Sequence, residues 1–291
     1  MGSGSDVARE AADVVLADDN FASILNAVEE GRRIFDNVQK FILHVLAANV
    51  GFVVALLTGL AFKDASGVSV FLLTPVEILW MLMGTGAFCE TGLGFEKAVP
   101  DILDRPPHDA SLNAPLRYGV FSPELLLDMV VYGLLMACCT IGSFAIVVFG
   151  FDGGNLGADC NKQYSPACRD VFRARATCYT TMTWIFLLLA WELIDARRSL
   201  FLMPQGLRAW GAHLWGNRFL FFSVVVVFFA VFPTLYIPVV DHVVFMHTGI
   251  GWEWAVVFVA VVVFMLGVES WKWTKRVYVR RHEPAPQTEW A

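Results

Sequence analysis

The chain has 291 residues, of which 57% are hydrophobic, 14% aromatic and only 16% charged, with a formal net charge of −6. A soluble domain carries about 25% charged residues, and the shortfall here falls in long apolar runs with the charges clustered between them. That pattern excludes a disordered chain, a coiled coil, a nucleic-acid binder and a disulfide-dense secreted module. It leaves a polytopic helical membrane protein.

The first forty residues read as soluble. Residues 1–6 (MGSGSD) have neither the basic start nor the short apolar stretch of a signal peptide. A Gly/Ser turn leads into a short helix from Val7 to Ala12 and the apolar pair Val14 and Val15. From Phe21, the residues Ile24, Leu25, Val28, Ile34, Phe35 and Val38 fall near helical spacing and predict an amphipathic helix. So small an apolar set does not make a core of its own. Residues 1–20 are therefore expected to be the edge of a larger domain.

Six apolar runs follow, each near the ~20 residues a helix needs to cross the hydrocarbon core. They cover about 41–62, 69–89, 125–151, 176–194, 219–240 and 252–271. The first carries no charge. The second is interrupted only by Glu77, and Pro233 and Pro238 mark the place where the fifth would bend. With the N-terminus inside, 16 of the 21 Lys and Arg fall on the cytosolic side. Five fall outside: Lys63, Lys162, Arg169, Arg173 and Arg175. The positive-inside rule thus predicts cytosolic termini, and residues 272–291 a basic cytosolic tail that anchors to anionic headgroups.

Several segments together resemble the P-type cation ATPases. Residues 1–21 (MGSGSDVAREAADVVLADDNF) resemble the end of that family's phosphorylation domain, and residues 29–37 (EEGRRIFDN) the stalk leading into its fifth membrane helix. Residues 75–80 (PVEILW) and 92–97 (GLGFEK) are similar to its sixth helix, and 104–108 (DRPPH) to the loop after it. The loop from Asp159 and Cys160 to Cys168, then 190–192 (AWE) and 197–200 (RRSL), is most similar to the fungal sodium- or potassium-exporting branch, type IID. The resemblance implies an all-α membrane protein whose six spans are equivalent to the last six helices of a P-type ATPase. They would follow a remnant of the phosphorylation domain (1–20) and a stalk helix (21–40). It also implies a multi-pass protein of the plasma membrane, a lipid bilayer and a monovalent cation as partners, and a missing N-terminal half. The parent family uses ATP and Mg²⁺. The D-K-T-G-T phosphorylation motif and the nucleotide-binding segments are not in this sequence, so no cofactor is expected on this chain alone, nor ATP hydrolysis by it.

Intramembrane polar residues are candidates for the cation pathway because burying them is costly. Asn49 matches, by resemblance, an Asn whose side-chain oxygen contributes to a cation site; its other reading is a helix–helix hydrogen bond. Glu77, about one turn into the second span, either lines the path or stays protonated and caps backbone after Pro75. Glu90 stands where the family carries Ala. It restores a carboxylate near the site or lies at the interface. Four positions depart from the relatives' ligand pattern: Ala48, where the fungal branch commonly has Glu, and Phe52, Leu82 and Gly86, where calcium pumps have Glu, Asn and Asp. His44 reads as an interfacial or packing residue. Glu124 and Asp128 are expected near an interface, and Glu192 and Asp195 in a solvated cluster with Arg197 and Arg198. Thr180, Thr181 and Thr183 are expected to bond back to their own helix. No metal-ligand spacing is present.

Cys160 and Cys168 are the two cysteines outside the spans, in a loop that the charge count places away from the cytosol, where disulfides persist. The turn-prone segment between them and the Cys pair of the fungal branch both predict a disulfide. Two functional readings follow: the membrane half of a cation pump, or a non-catalytic pseudo-pump or truncated fragment that serves at most as a packing module.

Overall fold

The computed structural model describes residues 1–99, 102–104, 120–151, 153–162, 164–195, 211 and 214–282. Every extended element among them is a helix, and the one β-type contact is an isolated bridge between Lys63 and Ser69. A short helix α1 (Asp6–Glu10) is capped by the Ser5 hydroxyl and buries no residue. The backbone N–H of Ser3 reaches the Asp19 carboxylate, and the Gly2 N–H the carbonyl of Leu16, so residues 1–20 close into one exposed turn.

Helix α2 (Ser23–Gly59) fuses the expected stalk and the first span into 37 residues. At 1.5 Å per residue it is about 55 Å long, against roughly 30 Å of hydrocarbon, so its first half projects beyond the bilayer. The second span is not one regular helix. Thr74 and Glu77 form a capping box over Pro75, which starts α3 (Pro75–Leu79). A π-helical segment, Trp80–Gly86, follows, and then α4 (Ala87–Gly94). The expected start at Ser69 moves to Pro75 because the preceding residues are held by the loop: Val70 donates to the Phe62 carbonyl at 2.7 Å, and Ser69 accepts from Asn161 at 2.6 Å.

Helix α5 (Pro123–Ala145) runs on as a π-helical turn to Phe151. A 3₁₀ turn, Pro166–Cys168, opens α6 (Arg169–Glu192), seven residues earlier than the apolar run suggests. Helix α7 (Arg218–Tyr236) stops short of residue 240 because Pro233 and Pro238 remove two N–H donors, and a separate π-helical turn follows at Val240–Phe245. Helix α8 (Trp254–His282) passes straight through Trp271 into the expected basic tail. Five of these segments are long and apolar enough to cross a membrane: Ser23–Gly59, Pro123–Phe151, Pro166–Asp195, Arg218–Tyr236 and Trp254–Tyr278. The chain is a multi-pass helical membrane protein.

Helix α6 sits at the centre, buried almost without a break from Val171 to Leu193. Helices α2 and α5 meet backbone to side chain at Gly133, where a Cβ would stand 2.6 Å from Val50 and 2.8 Å from the Ala47 carbonyl. A small residue is what permits such an approach in lipid. The carbonyls that α4 leaves open at its C-terminus are taken by side chains of distant helices. The Asn37 amide donates to Gly94 and Glu96, and the Asn217 amide to Gly92. The stalk is thereby tied to the end of the broken span.

One expectation about charge fails here. Asp128, near the start of α5, is buried. It accepts from Trp271 Nε1 at 2.7 Å and pairs with Lys275 at 2.5 Å. Glu192 is buried too, paired with Lys272 at 2.6 Å. The reason is that α8 continues as a helix and brings its lysines inward; Arg197 and Arg198 lie outside the described residues. Of the threonines, Thr180 and Thr183 do bond back to Ala176 and Tyr179, whereas Thr181 meets Ser143 of α5 at 3.3 Å.

Candidate functional site

The π-helical segment Trp80–Gly86 is where the second span departs from regular hydrogen bonding, and such segments are frequent at functional sites. Gly86 ends it. A Cβ placed there would stand 3.0 Å from Glu90 Oε1, 3.3 Å from the Met81 carbonyl and 3.4 Å from Phe186. The carboxylate one turn later therefore occupies the space that a side chain at position 86 would enter. The Glu90 carboxylate turns inward and is only 15% exposed.

Opposite Glu90 stands His44 of α2, fully buried, with its ring 4.2 Å from that of Phe186. His44 Nε2 donates to the Phe186 carbonyl at 3.0 Å, which fixes the hydrogen on that nitrogen. His44 Nδ1 is buried with no hydrogen-bond partner and lies 3.8 Å from Glu90 Oε1. That gap is too long for a hydrogen bond. It is the separation of two atoms that share one small ion or water, each about 2.4–2.8 Å away. The Thr85 hydroxyl is also buried without a partner, beside an apolar groove of about 620 Å³ lined by Trp80, Phe88, Phe222 and Val226.

Asn49 is placed elsewhere on α2. Five residues from His44, it is turned by about 140° and shares a half-open face with the exposed Val53, Leu57 and Leu60. Ala48 and Phe52 are buried in apolar packing on the other side. Glu77 stands at the far end of the broken span, thirteen residues from Glu90 and about 20 Å along the axis. Its carboxylate is fully buried; Oε2 accepts from the Thr74 N–H at 2.6 Å and Oε1 meets His247 Nδ1 at 2.7 Å. Beside it lies Arg175 of α6, also fully buried, donating to the carbonyls of Phe71 and Met246 and to the Asn161 side chain. The three pathway candidates thus occupy separate places rather than one cluster.

At the same end of the bundle Cys160 and Cys168 are joined in a disulfide, with Cα atoms 5.6 Å apart. Its loop is bound to the connection between α2 and α3 by Asp64, which accepts from the backbone N–H groups of Ser66, Val68 and Asp159.

Residues 70–274 match the family described as "Cation transporting ATPase, C-terminus". The chain belongs to that family. It is 46% identical to the sodium/potassium exporting P-type ATPase 1 of Saccharomyces cerevisiae over 288 residues, 97% of this chain. To the sodium/potassium exporting P-type ATPase cta3 of Schizosaccharomyces pombe it is 45% identical over 279 residues, or 94% of this chain. The chain spans about a quarter of the length of these relatives, 26% in both cases. It is the membrane-embedded C-terminal part of a P-type cation ATPase.

Four residues of this family member are not legible in the sequence: His44 reads as a packing or interfacial residue, His247 carries no pattern, and Arg175 and Lys272 read as parts of a loop and a tail. A signal existed for Arg175: between Pro166 and the apolar run nothing breaks a helix, so residues 169–175 belong to it. No sequence pattern pairs His247 with Glu77, 170 residues apart.

Proposed function

We propose that this chain is the C-terminal transmembrane half of a P-type pump exporting a monovalent cation, sodium or potassium. Six spans cross the membrane, with the broken segment Pro75–Gly94 as the second and the two chain ends in the cytosol of a plasma-membrane protein. The names of the relatives support the ion, and the count of six adds the broken segment Pro75–Gly94 to the five long apolar helices. Residues 1–20, with Val7, Val14 and Val15 exposed, form the edge of the phosphorylation domain, and α2 carries its motion inward.

The observation that carries the reading is the gap between Glu90 and His44 behind Gly86. Glu90 supplies the carboxylate that Gly86 lacks, and Asn49 a neutral oxygen on the face the rest of the pump covers. Glu77, with both oxygens held, closes the other end of the path. ATP and Mg²⁺ act in the remainder of the pump. Among the described residues no three His, Cys, Asp or Glu side chains gather into a metal-binding group.

The alternative, a non-transporting pseudo-pump, draws on the apolar packing of Ala48 and Phe52. A chimaera decides between them: residues 1–291 replace the matching quarter of the Saccharomyces pump, in cells lacking their own exporters. Sodium efflux is expected, reduced at least tenfold by Glu90→Gln and Asn49→Ala and little changed by Glu124→Gln. A chimaera that reaches the membrane and autophosphorylates but exports nothing establishes the pseudo-pump instead.

A further inference from the structure

The contacts of Glu77 and His247 can be counted in hydrogens. His247 Nε2 lies 3.0 Å from the Thr234 carbonyl, which only accepts, so Nε2 carries a hydrogen. Glu77 Oε2 faces the Thr74 N–H and so accepts. One contact is left, Nδ1 to Oε1 at 2.7 Å, between two fully buried atoms. With no hydrogen there, two lone pairs would face each other in an apolar interior; with two, an N–H would collide with an O–H. The contact holds one.

We infer that Glu77 and His247 form a one-proton site that latches the first turn of the broken span to the α7–α8 connection, on the face bearing the disulfide loop. Carboxylate with imidazolium and carboxylic acid with imidazole are the same state by charge, zero in each. Loss of the shared proton leaves a carboxylate against an imidazole lone pair, and the latch opens. The inference is independent of whether the pump transports.

The surroundings isolate the site without neutralising it. From α6 it is faced by Arg175, whose charge acts on Glu77, by the thiol of Cys178, and by Tyr179, with its ring 5.5 Å from that of His247. From the π-helical turn after α7, Phe245 stacks on the imidazole, and the Asp241 carbonyl accepts the His247 N–H at 3.0 Å. The Asp241 carboxylate is engaged by the N–H of its neighbour His242. Glu253, just before α8, is taken by Arg173.

The sign of the linkage follows. Above a pH of about 6.5 an unfolded chain keeps neither the Glu77 proton nor the second His247 proton. The folded pair keeps one, so folding takes up a proton, and this site alone raises the unfolding constant about tenfold per pH unit as the medium is made alkaline. In the purified chain in detergent micelles, the pH dependence of thermal unfolding should lose one proton in Glu77→Gln and in His247→Gln. The first keeps both hydrogen bonds, since a Gln amide donates to Nδ1 and its oxygen accepts from Thr74. His242→Gln should keep the wild-type slope. Wild-type slopes in Glu77→Gln and His247→Gln overturn the proposal. A second measurement reads the hydrogens themselves: in ¹⁵N-histidine-labelled chain His247 Nε2 should show a directly bonded hydrogen, as its contact with the Thr234 carbonyl requires. A His247 Nε2 without one overturns the proposal as well.

Discussion

Glu192 and Glu90 are both carboxylates on membrane-crossing segments, and the structure treats them in opposite ways. Glu192, on the central helix α6, is clamped by Lys272 of α8 at 2.6 Å, and the same ammonium also reaches the backbone carbonyls of Glu192 and Asp195. Glu90 faces His44 across 3.8 Å with neither atom satisfied by the other. The clamped pair is geometry already spent on holding helices together. The open pair retains binding capacity for something else. In a bilayer, where an unpaired polar atom is expensive, it is the unspent capacity that marks a candidate path.

The comparison breaks most visibly at Lys272. Lys272→Met leaves the Glu192 carboxylate buried beside an apolar side chain, and breaking a buried pair costs about 3–5 kcal/mol. Thermal unfolding in detergent should register that loss. The double change Lys272→Met with Glu192→Leu should recover most of it, because the uncompensated charge goes with its partner. Glu90→Gln, by contrast, should leave the melting temperature close to wild type. If Glu90→Gln destabilises as much as Lys272→Met, the two carboxylates do the same job and the contrast is wrong.

The clamped side was also the less legible in the sequence. Apolar runs locate the helices because ~20 residues of hydrocarbon-matched sequence have few alternatives. Runs say nothing about rotation or register, however. Asp128 and Glu192 look interfacial by distance from a run's end, and only the continuation of α8 past Trp271 brings Lys272 and Lys275 to them. The broken span was legible in part. Pro75 preceded by Thr74 and followed by Glu77 spells a helix start, but the π-helical segment depends on how Gly84 and Gly86 pack, which no periodicity encodes. Glu90 was visible as an unexpected carboxylate, and its partner His44 was not, because a lone histidine on an apolar face carries no directional signal.

The disulfide offers a smaller test of the same contrast, since it belongs to the side of the molecule that is tied down. Cys160→Ser opens a short loop, and the chain-entropy estimate for such a closure is about 2–3 kcal/mol. The loop sits at the start of α6 and against the residues that hold Arg175, so the loss should appear in unfolding of the whole bundle and not in the loop alone. Sodium efflux of the chimaera should fall with protein abundance and keep its ion affinity. A lowered affinity at normal abundance would place the loop within the ion path.

The smallest expected effect is at Asp64, where pH separates the tied side from the rest. The Ser66 hydroxyl, together with the backbone N–H groups of Asp159, Val68 and Ser66, holds the Asp64 carboxyl below its ordinary range. A carboxyl depressed in the folded state adds stability that is fully present above its unfolded value, about 3.9, and is lost as pH falls through the folded value. The local readout is the Asp159 amide, whose N–H donates to Asp64 Oδ2 at 2.8 Å. In Asp64→Asn the Oδ1 position keeps its three donors and an amide nitrogen, which cannot accept, replaces Oδ2, so exchange of the Asp159 amide should be several-fold faster than in wild type near neutral pH. On acidification wild type should lose its protection as Asp64 takes up a proton, until the two exchange alike. The Glu90 region should show no such convergence, since its carboxylate holds nothing closed. A wild-type advantage at Asp159 that persists unchanged into strong acid would mean that the loop is held by its shape and not by the charge of Asp64.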